Sequence, residues 1–90
     1  MVQRQYTIMA SDGLHARVAA QLVKTLATFP FTVQISCHGK TVNGKSILHI
    51  LSLGAQHHDV VTIDYETDDL TQVTACEQSL SEVIEAISKL

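Results

Sequence analysis

Asp12-Gly13-Leu14-His15-Ala16-Arg17 marks the passage from an extended segment into a helix, and it sets how the rest of the chain must fold. Downstream, Ala19, Leu22, Val23, Leu26 and Ala27 recur at helical spacing, while Arg17, Gln21 and Lys24 take the opposite face. Upstream, Val2 to Met9 reads as a strand, and Ser11-Asp12-Gly13 supplies the turn between the two. His15 therefore falls at the first turn of a helix, where backbone amides lack partners and the helix dipole is positive. Such a position attracts an anion and favours a neutral imidazole with a free ring nitrogen. Arg17 adds a planar, always charged fork suited to phosphate oxygens. A nucleophile, an anion seat and a cation within three residues are the parts a transient phosphohistidine needs. The amides near Ala16 and Val18 complete the seat, and Asp12 either caps the helix or modulates the site as a nearby negative charge.

Outward from this junction the chain alternates strands and helices. The first strand turns Val2, Tyr6 and Ile8 to one side, and Arg4 interrupts that side, which suits a sheet edge or an exposed start. The first helix stops near Phe29-Pro30. Phe31, Val33, Ile35 and Cys37 then alternate with Thr32, Gln34, Ser36 and His38 as a half-buried strand. His38-Gly39 turns it into a hairpin with Lys40 to Asn43. A short helix follows from Ser46 or Ile47 to Leu53, with Ser46 as N-cap and Gly54 closing it. Ile47, Leu48, Ile50, Leu51 and Leu53 ring this helix nearly all round, more than one packed face can hide. Ile47, Leu48 and Leu51 are therefore candidates for partner docking, although a small helix filling a core corner accounts for them equally well. A strand from Val60 to Glu66 comes next. Asp68-Asp69 then opens a last helix whose stripe is Val73, Cys76, Leu80, Val83, Ile84 and Ile87, with Lys89 near its C-terminus. The expected order is β-α-β-β-α-β-α, an α+β domain over residues 1–90 with helices on one sheet face.

Composition narrows the functional classes. Hydrophobic residues make up 46% of the chain, which argues for a packed core over disorder. No apolar run reaches the ~20 residues a membrane span requires, and Arg4 within an alternating strand speaks against a signal peptide, so a cytoplasmic protein is expected. Cys37 and Cys76 lie on apolar faces and read as reduced, buried thiols. His57-His58-Asp59 is the segment most open to a zinc reading, but adjacent histidines in a polar loop lack separated, convergent ligands, so no metal is expected. A net charge of −3 and the absence of an aromatic platform or glycine-rich phosphate loop argue against nucleic acid as a partner. No acid/base pair or nucleophile triad marks a self-sufficient enzyme. Residues 1–45 carry a balance of +4 and residues 46–90 one of −7. If that asymmetry persists in space, a basic patch including Lys24 and Lys45 would dock acidic proteins.

Gly13-Leu14-His15-Ala16-Arg17 resembles the active-site signature of the HPr family, the histidine phosphocarriers of the bacterial sugar phosphotransferase system. Lys40-Thr41-Val42-Asn43-Gly44-Lys45-Ser46-Ile47, continuing through Leu51-Ser52-Leu53-Gly54, resembles that family's regulatory serine region. The two segments are in register, and the resemblance extends over essentially the whole chain. It implies an open-faced β-sandwich with a four-stranded antiparallel sheet covered on one face by three helices. It implies further that enzyme I, charged from phosphoenolpyruvate, phosphorylates His15 at Nδ1, that Arg17 stabilises the phosphoryl group, and that an enzyme IIA domain receives it. No cofactor or membrane insertion is implied, and a monomer is expected. Ser46 matches the serine modified by HPr kinase/phosphorylase, whose phospho form binds a catabolite-control repressor. A regulator acting mainly through Ser46 is the alternative reading. Two departures stand out: Val18 replaces the usual proline after the arginine, and Asp12 replaces a small neutral residue.

Overall fold

Alternating apolar and polar side chains build one five-stranded sheet. In the computed structural model, which describes residues 1–83 and 85–90, β1 spans Val2–Ile8, β2 Val33–Cys37, β3 Lys40–Asn43, β4 Val60–Tyr65 and β5 Ile87–Lys89. The order is β3-β2-β4-β1-β5, with every neighbouring pair antiparallel. Tyr6 lies opposite Val61, and Ile35 opposite Ile63, so the apolar side chains share a face. Val2, Tyr6, Ile8, Val33, Ile35, Cys37, Val61, Ile63, Tyr65 and Ile87 are all buried there. Three helices cover that face: α1 (Ala16–Leu26), α2 (Ile47–Ser52) and α3 (Leu70–Leu80), with α1 packed against both others. Val18, Ala19, Leu22 and Leu26 point inward from α1, and Val73, Cys76 and Leu80 from α3. The opposite face carries Gln3, Gln5, Gln34, Thr62 and Asp64, none of them buried, and is left open. No helix among the described residues is long and apolar enough to cross a membrane.

The end of the chain departs from expectation. Instead of a long helix reaching Lys89, α3 stops at Leu80, a 3-10 turn takes Ser81–Val83, and a fifth strand follows. Ser81 Oγ donates to the carbonyl of Gln78, a local bond that competes with helix continuation. The second half of β1 also offers unpaired edge groups, and pairing Tyr6–Ile8 with Ile87–Lys89 satisfies them. Ile87 is buried in either conformation, so its apolar character does not discriminate between them. Ile84, assigned above to the helical stripe, lies outside the described residues.

Arg4 now has a reason. β5 meets only Tyr6–Ile8, which leaves the start of β1 at an edge, as the interrupted pattern suggested. On the covered face, Arg4 Nε lies 3.7 Å from Glu77 Oε1 of α3, and Lys89 Nζ pairs with Glu77 Oε2. Lys89 thus balances a half-buried carboxylate rather than a helix dipole.

Candidate functional site

The turn between β1 and α1 is held from two sides. Met9 and Ala10 donate their amides to the carbonyl of Ala86, at 2.7 and 3.1 Å. Leu14 is buried and donates its amide to Ala55 O at 2.9 Å. Gly13 adopts φ +72°, and a Cβ there would stand 2.5 Å from Ala55 O and 2.9 Å from Gln56 Cα. Only glycine permits both that backbone conformation and that approach.

With Gly13 and Leu14 pinned, His15 becomes the N-cap of α1, extended at φ −78° and ψ 175°, and its side chain makes no capping bond. Its amide donates to Gly13 O and its carbonyl accepts from Ala19 N, both at 2.9 Å. Among the described residues nothing accepts the amides of Ala16, Arg17 or Val18, so the first turn of α1 keeps three free donors next in the chain to the half-exposed His15. The Val18 side chain is buried, so this residue can serve the site only through its amide. The carboxylate of Asp12 accepts no helix amide. The capping alternative for Asp12 therefore fails: His15 occupies the cap, and Asp12 lines the same cleft as His15 and Arg17.

That cleft, about 350 Å³, is also lined by Glu82, Val83, Glu85 and Ala86. The sequence alone does not bring the two glutamates to this cleft, because an unbroken helix carries them elsewhere. Recognising Ile87-Ser88-Lys89 as an alternating strand is the signal that could have found them. The arrangement places Arg17 in a cleft with three carboxylates, those of Asp12, Glu82 and Glu85.

The second segment forms as expected. Ser46 caps α2, its Oγ accepting from His49 N at 3.3 Å. Ile50 and Leu53 are buried, Leu51 is half-buried, and Ile47 and Leu48 are 39% and 78% exposed. Because α2 packs on α1, this apolar surface belongs to the helix layer that carries His15. The basic patch is smaller than the charge balance suggested. Lys45 Nζ donates to Phe29 O at 2.6 Å, Lys40 Nζ donates to Ser52 O at 3.2 Å, and Arg4 pairs with Glu77. Among the described residues, Arg17 and Lys24 of α1 are the early cations with no such partner. Lys45 is thus committed within the fold. The rings of His57 and His58 lie 3.7 Å apart, tilted by 32°, while Asp59 bonds to His38, 2.8 Å away. Both cysteines are buried and unpaired.

Residues 2–90 match the family described as the PTS HPr component phosphorylation site. Similar solved structures include HPr-C-His from Thermoanaerobacter tengcongensis, 34% identical over 94% of this chain and 96% of that one, with a TM-score of 0.79. The phosphocarrier protein HPr of Bacillus anthracis is 34% identical over 87% and 94%, with a TM-score of 0.74. Crh of Bacillus subtilis, a catabolite-repression protein solved as a swapped dimer, is 30% identical over 96% and 98%, with a TM-score of 0.65.

Proposed function

The chain belongs to the HPr family of phosphocarriers of the phosphotransferase system, and from that premise we propose that His15 is the residue that carries its phosphoryl group. The observation that bears most weight is the uncapped His15 ring beside Arg17 and three unpartnered amides. Nδ1 attacks phosphorus on the phosphorylated histidine of enzyme I, and a new N–P bond forms as the donor N–P bond breaks. The donor imidazole leaves with the bonding pair, and the other ring nitrogen of His15 keeps its proton. Arg17 and the amides of Ala16, Arg17 and Val18 offset the charge of the bound group. Asp12, Glu82 and Glu85 compete for Arg17 and repel a dianion, so the group is held without being trapped. Transfer to an enzyme IIA domain repeats the exchange in the other direction. The protein acts as a carrier rather than a self-sufficient catalyst, and its partners complete the reaction.

Docking rests on Ile47, Leu48, Leu51 and Lys24, all in the helix layer that holds His15. Phosphorylation of Ser46 by an HPr kinase/phosphorylase would put about −1.5 to −2 charges beside that surface, disfavouring an acidic partner such as enzyme I and favouring a repressor with a basic site. The similarity to Crh favours a second reading, in which the chain acts mainly through Ser46 in catabolite repression. His15 is intact here, which favours the carrier.

The deciding experiment is incubation with enzyme I, phosphoenolpyruvate and magnesium, followed by intact-mass analysis. An acid-labile, base-stable adduct lost in His15→Ala is expected, with slower formation in Ser46→Asp. A folded chain that forms no adduct with active enzyme I would shift the assignment to the Ser46 regulator.

A further inference from the structure

Away from the His15 cleft, the fold assembles a second set of reactive groups that the carrier role does not use. Cys37 ends β2, His38 opens the two-residue turn into β3, and Asp59 immediately precedes β4. One ligand atom from each lies within 4.8 Å of the others, and His38 Nε2 is 2.8 Å from Asp59 Oδ2. We propose that Cys37, His38 and Asp59 form a binding site for a late first-row divalent cation of the zinc class.

The donor set selects that class. A thiolate and an imidazole suit zinc or its neighbours and are poor ligands for calcium or magnesium. A thiolate with a carboxylate contributes two negative charges, which a divalent ion neutralises; the thiol proton is released to solvent on binding. Zinc bond lengths put tetrahedral donors about 3.3–3.6 Å apart. The present separations, 2.8 Å from His38 Nε2 to Asp59 Oδ2 and none above 4.8 Å, bracket that range. The carboxylate is oriented from outside the cluster, with Gln56 N donating to Asp59 Oδ2 at 2.8 Å. His38 sits at φ +53° in the turn after β2, and a ring nitrogen lies within 4.8 Å of the Cys37 sulfur. Cys37 is 4% exposed, whereas the His38 side chain is 63% exposed, so the ion is reached from solvent and a water fills the fourth position.

This reading replaces the expectation of no metal. That expectation weighed Asp59 with His57 and His58, its neighbours in sequence, whereas the fold pairs it with residues twenty-one and twenty-two positions earlier. The site is independent of phosphoryl transfer at His15 and stands or falls separately from it.

Cobalt titration of the reduced, metal-stripped chain tests the proposal, with zinc affinity measured by competition against a chromophoric chelator. One cobalt per chain with a thiolate-to-metal charge-transfer band is expected, unchanged in Cys76→Ser and absent in Cys37→Ser. His38→Ala and Asp59→Asn should each weaken zinc by at least about tenfold, the scale seen even for lost outer partners. Zinc should also raise the Tm of the natural chain and not that of His38→Ala. A folded chain without the band, or a band that survives Cys37→Ser, overturns the site. If Cys37→Ser does not fold, unchanged zinc affinity in both His38→Ala and Asp59→Asn overturns it equally.

Discussion

Gly13 shows how one residue position governs the placement of His15. Gly13→Ala forces an L side chain into positive φ and drives its Cβ against Ala55 O, so a loss of about 2–4 kcal/mol is expected. Urea denaturation measures that loss, and faster amide exchange at Leu14 would locate it at the turn. Burial produces a different residue-scale effect at the Tyr6–Tyr65 hydroxyl pair, 3.0 Å apart. Burial pushes Tyr6 up to about 12, partly offset by its bond to Tyr65, and raises Tyr65 further. Burial, aided by the charge of Glu77, also lifts Cys76 from 9.0 to about 11. These are acids with raised folded values, so the unfolded chain releases its protons first and gains as pH rises. Stability should hold below about pH 9 and fall steadily toward about pH 12. Urea midpoints across that range check the fall, and Tyr6→Phe should flatten it.

At the scale of elements, most boundaries were legible because each had a local cause. Ser46 reads as the cap of α2, and Asp69 caps α3 by accepting from Thr71 N and Gln72 N. The His38-Gly39 turn follows from the alternation on either side of it. The end of α3 was not legible, because no glycine or proline marks it and Val83 and Ile87 fit a helical stripe and a strand equally. What decides is the open edge of β1, a long-range partner that no local window contains. The expected consequence is that Ile87→Ala, removing a 3% exposed side chain, lowers stability by about 2–4 kcal/mol. Thermal or urea unfolding measures the loss.

Across the whole molecule, charges that are neighbours in sequence are parted in space. Lys45 holds Phe29 O, Arg4 and Lys89 flank Glu77, and Lys24 remains available on α1. Lys24→Glu should therefore slow association with enzyme I and weaken its salt dependence while leaving stability within about 0.5 kcal/mol. Lys45→Ala should do the reverse, destabilising the fold through a lost charged donor by about 1.5–3 kcal/mol with little change in association rate. Stopped-flow kinetics and unfolding on both variants measure the contrast.

The primary sequence by itself determined the periodicities, the caps, the glycine turn and the two motifs, because each depends on residues within a few positions of one another. It therefore carried the α+β class, His15 with Arg17, and Ser46 at a helix start. Only the tertiary structure decided the fifth strand, the glutamates lining the His15 cleft, the loss of Lys45 from the basic patch and the meeting of Cys37, His38 and Asp59. Each of these is a pairing between distant segments, set by which backbone edges and buried charges lacked a partner once the rest of the chain had packed.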